Sequence, residues 1–555
     1  MNIIKRQKIN SAHHWILSVG ICATTLSSTV FAEDFTAVHC NSMKKVTLPN
    51  VTISHTERVT AGKSGEDPMR ELTGASGANH DLPTHCLVKG TIGARTGSDG
   101  KPYGIQFELR MPDNWQNRFM FQGGGGTDGF LAQAIGSIPS SGSSAPPSLA
   151  RGYAVVSMDG GHQGLDLSFA ADQQARLDFA YSAVGKVTDQ AKYLISKYYD
   201  EPSRHSYFMG CSNGGREAMI AAQRYPTEFD GVVAGNAGFH LTRAAVAEAW
   251  DTQVLLSIAP KDKQGNPILS QALTNHDLHL VSQAVLKQCD AKDGIKDGII
   301  NNYPECDFKL DVLQCKKEGE TDNCLSSEKV AAIDKIFKGA HNSQGKALYS
   351  SWPYDAGISS IGWRVWKLGT STDANKPNAI NATMGASALV NYFMTPPAPD
   401  MKVTQFDFDA DIVKTKETGA LHDALSTYMN TYRSRGGKML IFHGFSDPVF
   451  SANDIINWYQ RLLQNTDHGD FSRQQEWTRL FMVPGMTHCG GGPALDDFDP
   501  LQAIEDWVEQ NKAPDYLTAS AKAFPDKKQP LCPYPKTARY NGKGDPNQLD
   551  SYSCK

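Results

Sequence analysis

The chain has 555 residues, and its 54 basic and 59 acidic side chains nearly cancel. A chain of this length can bury a large core as one big domain with an insertion, or as two smaller domains. No basic stripe or charge block indicates nucleic acid or a membrane surface as a partner. Composition therefore predicts a soluble globular protein.

The N-terminus predicts export. "MNIIKRQK" is a basic segment, and "WILSVGICATTLSSTVFA" follows as an apolar stretch that fades into small residues. Val30 and Ala32 suit the −3 and −1 positions of a signal-peptidase site, so residues 1–32 are expected to be a cleaved signal peptide. The alternative, an uncleaved anchor, needs a longer apolar run of about 20 residues. A secreted or periplasmic protein without a membrane anchor is expected.

The cysteine count supports an oxidising compartment. Loss of Cys22 with the signal peptide leaves ten of the 11 cysteines. An even number in an exported protein favours five disulfides over metal sites or free thiols. No CxxC pair is present, which further weakens a zinc interpretation.

Strand and helix patterns alternate between about residues 83 and 210. A long amphipathic pattern, "ARLDFAYSAVGKVTDQAKYLISKYY", predicts a helix. The runs that predict strands are "YGIQFELRMP", "RFMFQGGGG", "YAVVSMDGG" and "HSYFMG", and later "GGKMLIFHGFSDPVF" and "TRLFMVPGMTHCGGG". Buried strands that alternate with helices are typical of a mostly parallel sheet in an α/β fold.

Residues 240–433 differ in character, because strand signals thin out and polar, helical stretches dominate. We predict that this segment is a lid inserted into a catalytic core of residues 33–239 and 434–555.

The segment Gly210-Cys211-Ser212-Asn213-Gly214 fits the pattern G-x-S-x-G between a strand and a helix. A serine on this sharp turn projects its hydroxyl group, and the glycines relieve crowding. Ser212 is therefore the candidate nucleophile, with an ordinary turn as the alternative.

A serine nucleophile needs a base and a group that orients the base. In α/β-hydrolases these follow in the order Ser, Asp, His, each on a loop after a strand. Asp447 and His488 fit both the order and the placement. Structural roles are expected for the competing candidates His443, His162 and Asp159.

The segment "FQGGGGTDG" also follows a strand. Its glycines allow a backbone N–H to approach a developing oxyanion, with a second N–H from Asn213. A phosphate-binding loop is the rival interpretation, but the lysine and Ser/Thr of a P-loop are missing.

Cys211 precedes the candidate nucleophile and Cys489 follows the candidate base. Hydrogen-bonded Ser and His side chains bring their backbones close, so the two cysteines could reach the ~5.5 Å Cα separation of a disulfide. The alternative is two buried free thiols.

The segment "CDAKDGIKDGIINNYPEC" predicts a structural calcium site. Asp290, Asp293 and Asp297 alternate with glycine turns, and the carbonyl groups of Ile295 and Ile299 could complete an oxygen shell. The spacing is not that of an EF-hand, and a solvated acidic turn is the alternative.

Together these residues resemble the tannase and feruloyl esterase family. The likeness rests on Cys-Ser at 211–212, Asp447 and His-Cys at 488–489, and covers nearly the whole mature chain. It implies an α/β-hydrolase fold with a large inserted lid, and closest kinship with members that hydrolyse terephthalate monoesters. It also implies Gly126 and Asn213 as oxyanion donors and residues 290–299 as the calcium loop.

The resemblance further implies side-chain roles. Trp366 and Phe450 match aromatic positions that sandwich the substrate ring. Ile380 stands where the resemblance implies a carboxylate-binding arginine, and Met384 replaces a phenylalanine. The implied disulfides are Cys211–Cys489, Cys40–Cys86, Cys289–Cys306, Cys315–Cys324 and Cys532–Cys554.

We therefore expect a secreted, monomeric serine carboxylesterase that hydrolyses small esters of feruloyl, galloyl or terephthalate-monoester type through an acyl-enzyme. Ile380 and Met384 leave open whether the terephthalate monoester is a good substrate. A serine peptidase would use the same triad, and a non-catalytic binding module of the same fold is the third possibility.

Overall fold

The computed structural model describes residues 39–317 and 322–555. The predicted signal peptide, residues 1–32, lies outside the described residues. Within them, no helix is both long and apolar enough to cross a membrane.

The core of the molecule is a nine-stranded sheet. Its spatial order is β1-β2-β3-β5-β4-β6-β7-β8-β9, and the pairs from β5 to β9 are all parallel. The strands are β1 (Val51–Val59), β2 (His85–Thr96), β3 (Pro102–Pro112), β4 (Arg118–Gln122), β5 (Tyr153–Met158), β6 (His205–Cys211), β7 (Gly231–Gly235), β8 (Lys438–Gly444) and β9 (Thr478–Val483).

All the strands that the sequence predicts are present, and the parallel half of the sheet places their C-terminal ends along one edge. The sequence patterns miss β1, β2 and β7. β1 pairs antiparallel with β2 at the edge of the sheet, and many of its side chains are exposed, so its apolar signal is weak. β7 has only five residues, "GVVAG".

Helices cover both faces of the parallel strands and fill the segment between β7 and β8. The described residues between Leu241 and Ser434 contain helices and no β-strand of the named sheets. The α-helices of seven or more residues are α1 (Ala183–Tyr199), α2 (Asn213–Arg224), α3 (Leu241–Ile258), α4 (Asn275–Cys289), α5 (Ser327–Phe337), α6 (Ile361–Lys367), α7 (Lys416–His422), α8 (Ala452–Asp467) and α9 (Pro500–Gln510). The proposed lid boundaries at 240 and 433 stay a prediction.

The long predicted helix before β6 is interrupted. It begins as Gln173–Leu177, passes through a π-helical turn at Asp178–Ser182 and continues as α1. Two further π-helical turns, Asn381–Gly385 and Leu389–Phe393, lie in the segment between β7 and β8. Such turns are frequent at functional sites.

Short two-stranded sheets complete the fold: Gly62–Lys63 with Asp81–Leu82, Leu517–Ala521 with Phe524–Leu531, and Ala538–Tyr540 with Tyr552–Cys554. All five expected disulfides are present in the structure: Cys40–Cys86, Cys211–Cys489, Cys289–Cys306, Cys315–Cys324 and Cys532–Cys554.

Candidate active site

Ser212, His488 and Asp447 form a hydrogen-bonded chain at the C-terminal edge of the parallel strands. His488 Nε2 lies 2.9 Å from Ser212 Oγ, and His488 Nδ1 lies 3.0 Å from Asp447 Oδ2. The three side chains come from the loops after β6, β8 and β9. This geometry is that of a Ser-His-Asp triad, in which the histidine can take the serine proton and the aspartate orients the imidazole.

Ser212 occupies the sharp turn that the G-x-S-x-G pattern predicts. Its backbone has φ 61° and ψ −124°, a conformation that non-glycine residues seldom adopt. Gly210 and Gly214 allow the turn, because a Cβ atom on Gly210 would lie 2.6 Å from the carbonyl carbon of Gly214. The strained turn holds the hydroxyl group at the entrance to α2.

Asp447 is fully buried and is held ionised by its partners. Burial by itself disfavours the charged form, but the attraction of His488, together with hydrogen bonds from His488 and Asn236, holds the pKa of Asp447 below its usual value. Asn236 Nδ2 donates to Asp447 Oδ2 at 2.7 Å. The amide groups of Val449 and Phe450 donate to Asp447 Oδ1.

The oxyanion candidates lie beside the nucleophile. Gly126 and Asn213 line one inner cavity together with Ser212. Gly126 has φ 57°, which suits glycine, and Asn213 is the first residue of α2. The amide groups in the first turn of a helix lack intrahelical partners, so the Asn213 N–H is available to an anion.

The Cys211–Cys489 disulfide joins the nucleophile loop to the histidine loop. The Cα atoms of the two cysteines are 6.1 Å apart, and the bridge spans 278 residues of sequence. It packs against Gly74, where a Cβ atom would lie 2.4 Å from Cys489 Cβ.

Two aromatic side chains flank the histidine. The ring centroids of Trp366 and Phe450 lie 4.9 Å and 5.3 Å from that of His488, both in edge-to-face arrangements. Both side chains line the inner cavity, as does Met384. Ile380 is half-buried just before the π-helical turn that carries Met384, and it does not line this cavity.

The inner cavity opens towards a larger cleft. The inner cavity has a volume of about 40 Å³, and the adjoining cleft about 890 Å³. Gly126, Thr127, Leu167 and Met384 border both. A cavity of roughly 150 Å³ holds benzene, so the inner cavity must widen before it admits an aromatic ring. Met384 has a flexible side chain that can yield.

The competing histidines and the aspartate have structural surroundings. His443 Nε2 lies 3.0 Å from the carbonyl oxygen of Phe450, and the His162 ring stacks on Phe169 with centroids 3.7 Å apart. Asp159 accepts hydrogen bonds from the amide groups of Gln106 and Gly161.

The aspartate loop is partly neutralised by the tail of the chain. Lys527 Nζ lies 2.8 Å from Asp297 Oδ2. Among the described residues, Asp290 and Asp293 form no ion pair. Burial is the main reason that the pKa of Asp293 is raised to about 7. No three His, Cys, Asp or Glu side chains within 39–317 and 322–555 are arranged to hold a metal ion.

Comparison with known proteins identifies the family. A protein-family model described as "Tannase and feruloyl esterase" matches residues 86–555. The chain belongs to this family. Members of the tannase and feruloyl esterase family are ester hydrolases, and the chain is accordingly a carboxylic ester hydrolase.

Several members of the tannase and feruloyl esterase family are similar over most of their length. Mono(2-hydroxyethyl) terephthalate hydrolase of Piscinibacter sakaiensis is 40% identical over 534 residues, which cover 87% of each protein. Feruloyl esterase B of Aspergillus niger is 25% identical over 562 residues, covering 97% of this chain and 99% of that protein. The crystal structure of feruloyl esterase B from Aspergillus oryzae covers 94% of this chain and all of its own, with a TM-score of 0.75 at 23% identity. These likenesses confirm the predicted family and fold class.

A buried network of polar side chains lies behind the oxyanion loop, and the sequence patterns do not predict it. Asn213 Nδ2 donates to Asp128 Oδ1 at 2.6 Å, and Arg216 Nε donates to Asn213 Oδ1 at 2.7 Å. Glu217 accepts the amide hydrogen of Gly124. Burial and the neighbouring Glu217 raise the pKa of Asp128 well above its usual value. Asn213, Arg216 and Glu217 come from the first turns of α2, but Asp128 comes from the distant glycine-rich loop, and no pattern in the sequence indicates that it meets them. Asn236, by contrast, follows a strand of the same sheet edge, a signal that could have revealed it.

Proposed function

We propose that this family member is a serine carboxylesterase that hydrolyses esters of aromatic acids through an acyl-enzyme. The contact of Ser212 with His488, and of His488 with Asp447, carries the proposal. The aromatic lining of the inner cavity and the names of the similar esterases support an aromatic acid as the acyl group.

The proposed reaction uses the chain's own side chains throughout. Ser212 Oγ attacks the ester carbonyl carbon while its proton passes to His488 Nε2. The amide groups of Gly126 and Asn213 stabilise the oxyanion of the tetrahedral intermediate. His488 returns the proton to the departing alcohol, and the acyl group stays on Ser212. Water, deprotonated by His488, then attacks the acyl carbon. The bond to Ser212 Oγ breaks, His488 returns the proton to that oxygen, and the acid is released.

The narrow inner cavity favours an ester over a peptide. A peptidase must hold an extended chain on both sides of the scissile bond, whereas a small, mostly apolar cavity beside Ser212 suits one flat acyl group. A non-catalytic binding module would have no need for an intact hydrogen-bonded triad on a strained turn.

Trapping the acyl-enzyme tests the proposal. Rapid mixing with the nitrophenyl ester of an aromatic acid is expected to give a burst of nitrophenol equal to the enzyme concentration, followed by a slower steady rate. Peptide mapping after acid quenching should find the acyl group on Ser212. An adduct on another residue, or cleavage of peptide anilides in preference to esters, would contradict the proposal.

We also propose that the chain is exported. Each of the ten cysteines among the described residues belongs to a disulfide, which suits an oxidising compartment. The predicted signal peptide would direct the chain into that compartment.

We further propose a structural calcium ion at the aspartate loop, held by Asp290, Asp293 and backbone carbonyl groups such as those of Ile295 and Ile299. Calcium prefers many oxygen ligands. A cation would supply the positive charge that the buried Asp293 lacks. Serine catalysis needs no metal, so the ion would stabilise the fold.

Chelation is expected to lower the melting temperature by several degrees while kcat at moderate temperature changes little. A ligand that binds only the folded state adds about 2.7 kcal/mol at one hundred times its Kd. Calorimetry with calcium and with chelator measures the difference. Asp293→Asn should remove the response, whereas Asp307→Asn, an exposed acid beside the loop, should keep it. Protein that is free of calcium and melts identically under both conditions would refute the site.

A further inference from the structure

Glu248 lies midway along α3 with its side chain in the inner cavity. It lines this cavity together with Ser212, and the residue is only 2% exposed. The carboxyl group lies against the backbone of Gly385, where a Cβ atom would come within 1.5 Å of Glu248 Oε2. Any residue but glycine at 385 would therefore displace the Glu248 carboxyl group.

The Glu248 carboxyl group makes no hydrogen bond to the described part of the chain. Three other polar side chains of the cavity wall do form hydrogen bonds within the protein. Thr127 Oγ1 donates to the carbonyl oxygen of Leu165 at 3.4 Å, Asn213 is held by Asp128, and the Tyr392 hydroxyl group lies 3.2 Å from His422 Nδ1. A buried polar group without a partner costs free energy. Next to a nucleophile, such a group indicates a partner that arrives with the substrate.

The charges around Glu248 leave it without a counter-ion. Lys367 is buried, forms an ion pair with Asp251 and lies over the Trp352 ring. Burial, together with Asp251 and Asp447, raises the pKa of Glu248 well above its usual value against the attraction of Lys367. Among the described residues, no lysine or arginine forms an ion pair with the Glu248 carboxyl group.

We propose that Glu248 is a specificity-determining residue that hydrogen-bonds a hydroxyl group on the acid part of the substrate and disfavours a carboxylate there. The inference rests on the proposed function, because it assumes that the acyl group occupies the inner cavity.

The chemistry of the two groups explains the preference. A carboxyl group accepts a hydrogen bond whether or not it is protonated, and a ring hydroxyl group donates one, so the two can pair. A carboxylate would enter a cavity whose described lining contains no lysine or arginine. Lys367, the one cation among the described residues whose attraction reaches Glu248, already forms an ion pair with Asp251. Burying the substrate's charge without a cation would cost more than one hydrogen bond returns.

The test compares ratios of kcat/KM across matched esters. The substrates are the methyl esters of 4-hydroxycinnamate and of unsubstituted cinnamate, and the methyl monoester of terephthalate. Wild type should hydrolyse the hydroxylated ester best and the terephthalate monoester worst. Glu248→Leu should lower the hydroxylated-to-unsubstituted ratio about 10-fold or more, because a site that hydrogen-bonds a hydroxyl group discriminates strongly against its absence.

Two further variants separate recognition from folding. Glu248→Gln keeps a donor and an acceptor in the same shape and cannot ionise, so it should retain most of the ratio. Thr252→Val, one turn further along α3 and outside the cavity lining, should leave the ratio unchanged. Melting temperatures check that each variant is folded.

The two possible failures are distinguishable. If wild type hydrolyses none of the three esters, the proposed function is wrong. If wild type and Glu248→Leu both hydrolyse unsubstituted cinnamate and show the same ratio, the role of Glu248 is wrong. A wild-type preference for the terephthalate monoester would likewise overturn it.

Discussion

Replacing Ser212 by alanine is expected to lower kcat for ester hydrolysis by roughly 10⁴- to 10⁶-fold, because removal of a triad nucleophile has effects of this size. The substitution deletes one oxygen atom on a turn whose backbone is held by Gly210 and Gly214 and by the Cys211–Cys489 bridge. The fold should therefore survive, and circular dichroism with melting curves can show that it does.

The matched control is Ser157→Ala. Ser157 is also a buried serine on a strand of the same sheet, and its hydroxyl group donates to the carbonyl oxygen of Ala132 rather than to a histidine. We expect near-normal turnover from this control.

His488→Ala should be as inactive as Ser212→Ala. The double variant should be no less active than either single variant, since the two residues act as one unit. His162→Phe, which keeps the stacking on Phe169, should stay active.

The protein should be purified from a host without esterases of its own. Near-normal activity of Ser212→Ala in such a preparation would refute the proposed mechanism. A residual rate about 10³-fold above uncatalysed hydrolysis would not refute it, because oxyanion stabilisation and substrate binding persist without the nucleophile.

The parts of the site that follow strands could be predicted from the sequence. A parallel sheet places its strand ends along one edge, so an apolar run followed by Ser212, Asp447 or His488 already fixes the neighbourhood of each side chain. The same logic anticipates the bridge between Cys211 and Cys489, since each is adjacent to a triad residue.

The cavity wall could not be predicted in the same way. Glu248 lies in the middle of a helix, and only the packing of α3 against Gly385 shows that its carboxyl group enters the cavity. The π-helical turn at Asn381–Gly385 changes which residues face inward, so Met384 lines the cavity while Ile380 does not. The hydrophobic pattern of the sequence gives no sign of such turns. Among the described residues that line the inner cavity there is no lysine or arginine.

Removing the Cys211–Cys489 bridge is expected to have the second largest effect. The double variant Cys211→Ala/Cys489→Ala should lose roughly 2–5 kcal/mol of unfolding free energy, since the bridge closes a very long loop. It should also lose activity, because the bridge is adjacent to both Ser212 and His488. A displacement of about 1 Å between reacting groups can cost ~10²-fold in rate, so we expect kcat to fall by about 10- to 100-fold.

The chain offers a matched control in the Cys315–Cys324 bridge, which spans nine residues and is adjacent to no triad residue. Its double alanine variant should lose less stability, because a shorter loop constrains the unfolded chain less, and should keep its kcat.

Denaturant melts and burst kinetics on both variants separate the two roles of the active-site bridge. A stability loss with unchanged kcat would mean that packing around Gly74 alone holds the two loops in register. Unchanged stability and unchanged kcat together would show that the bridge contributes to neither. The expected result is a loss of both, because Ser212 lies on a strained turn and His488 on a loop, and the disulfide joins the residue before Ser212 to the residue after His488.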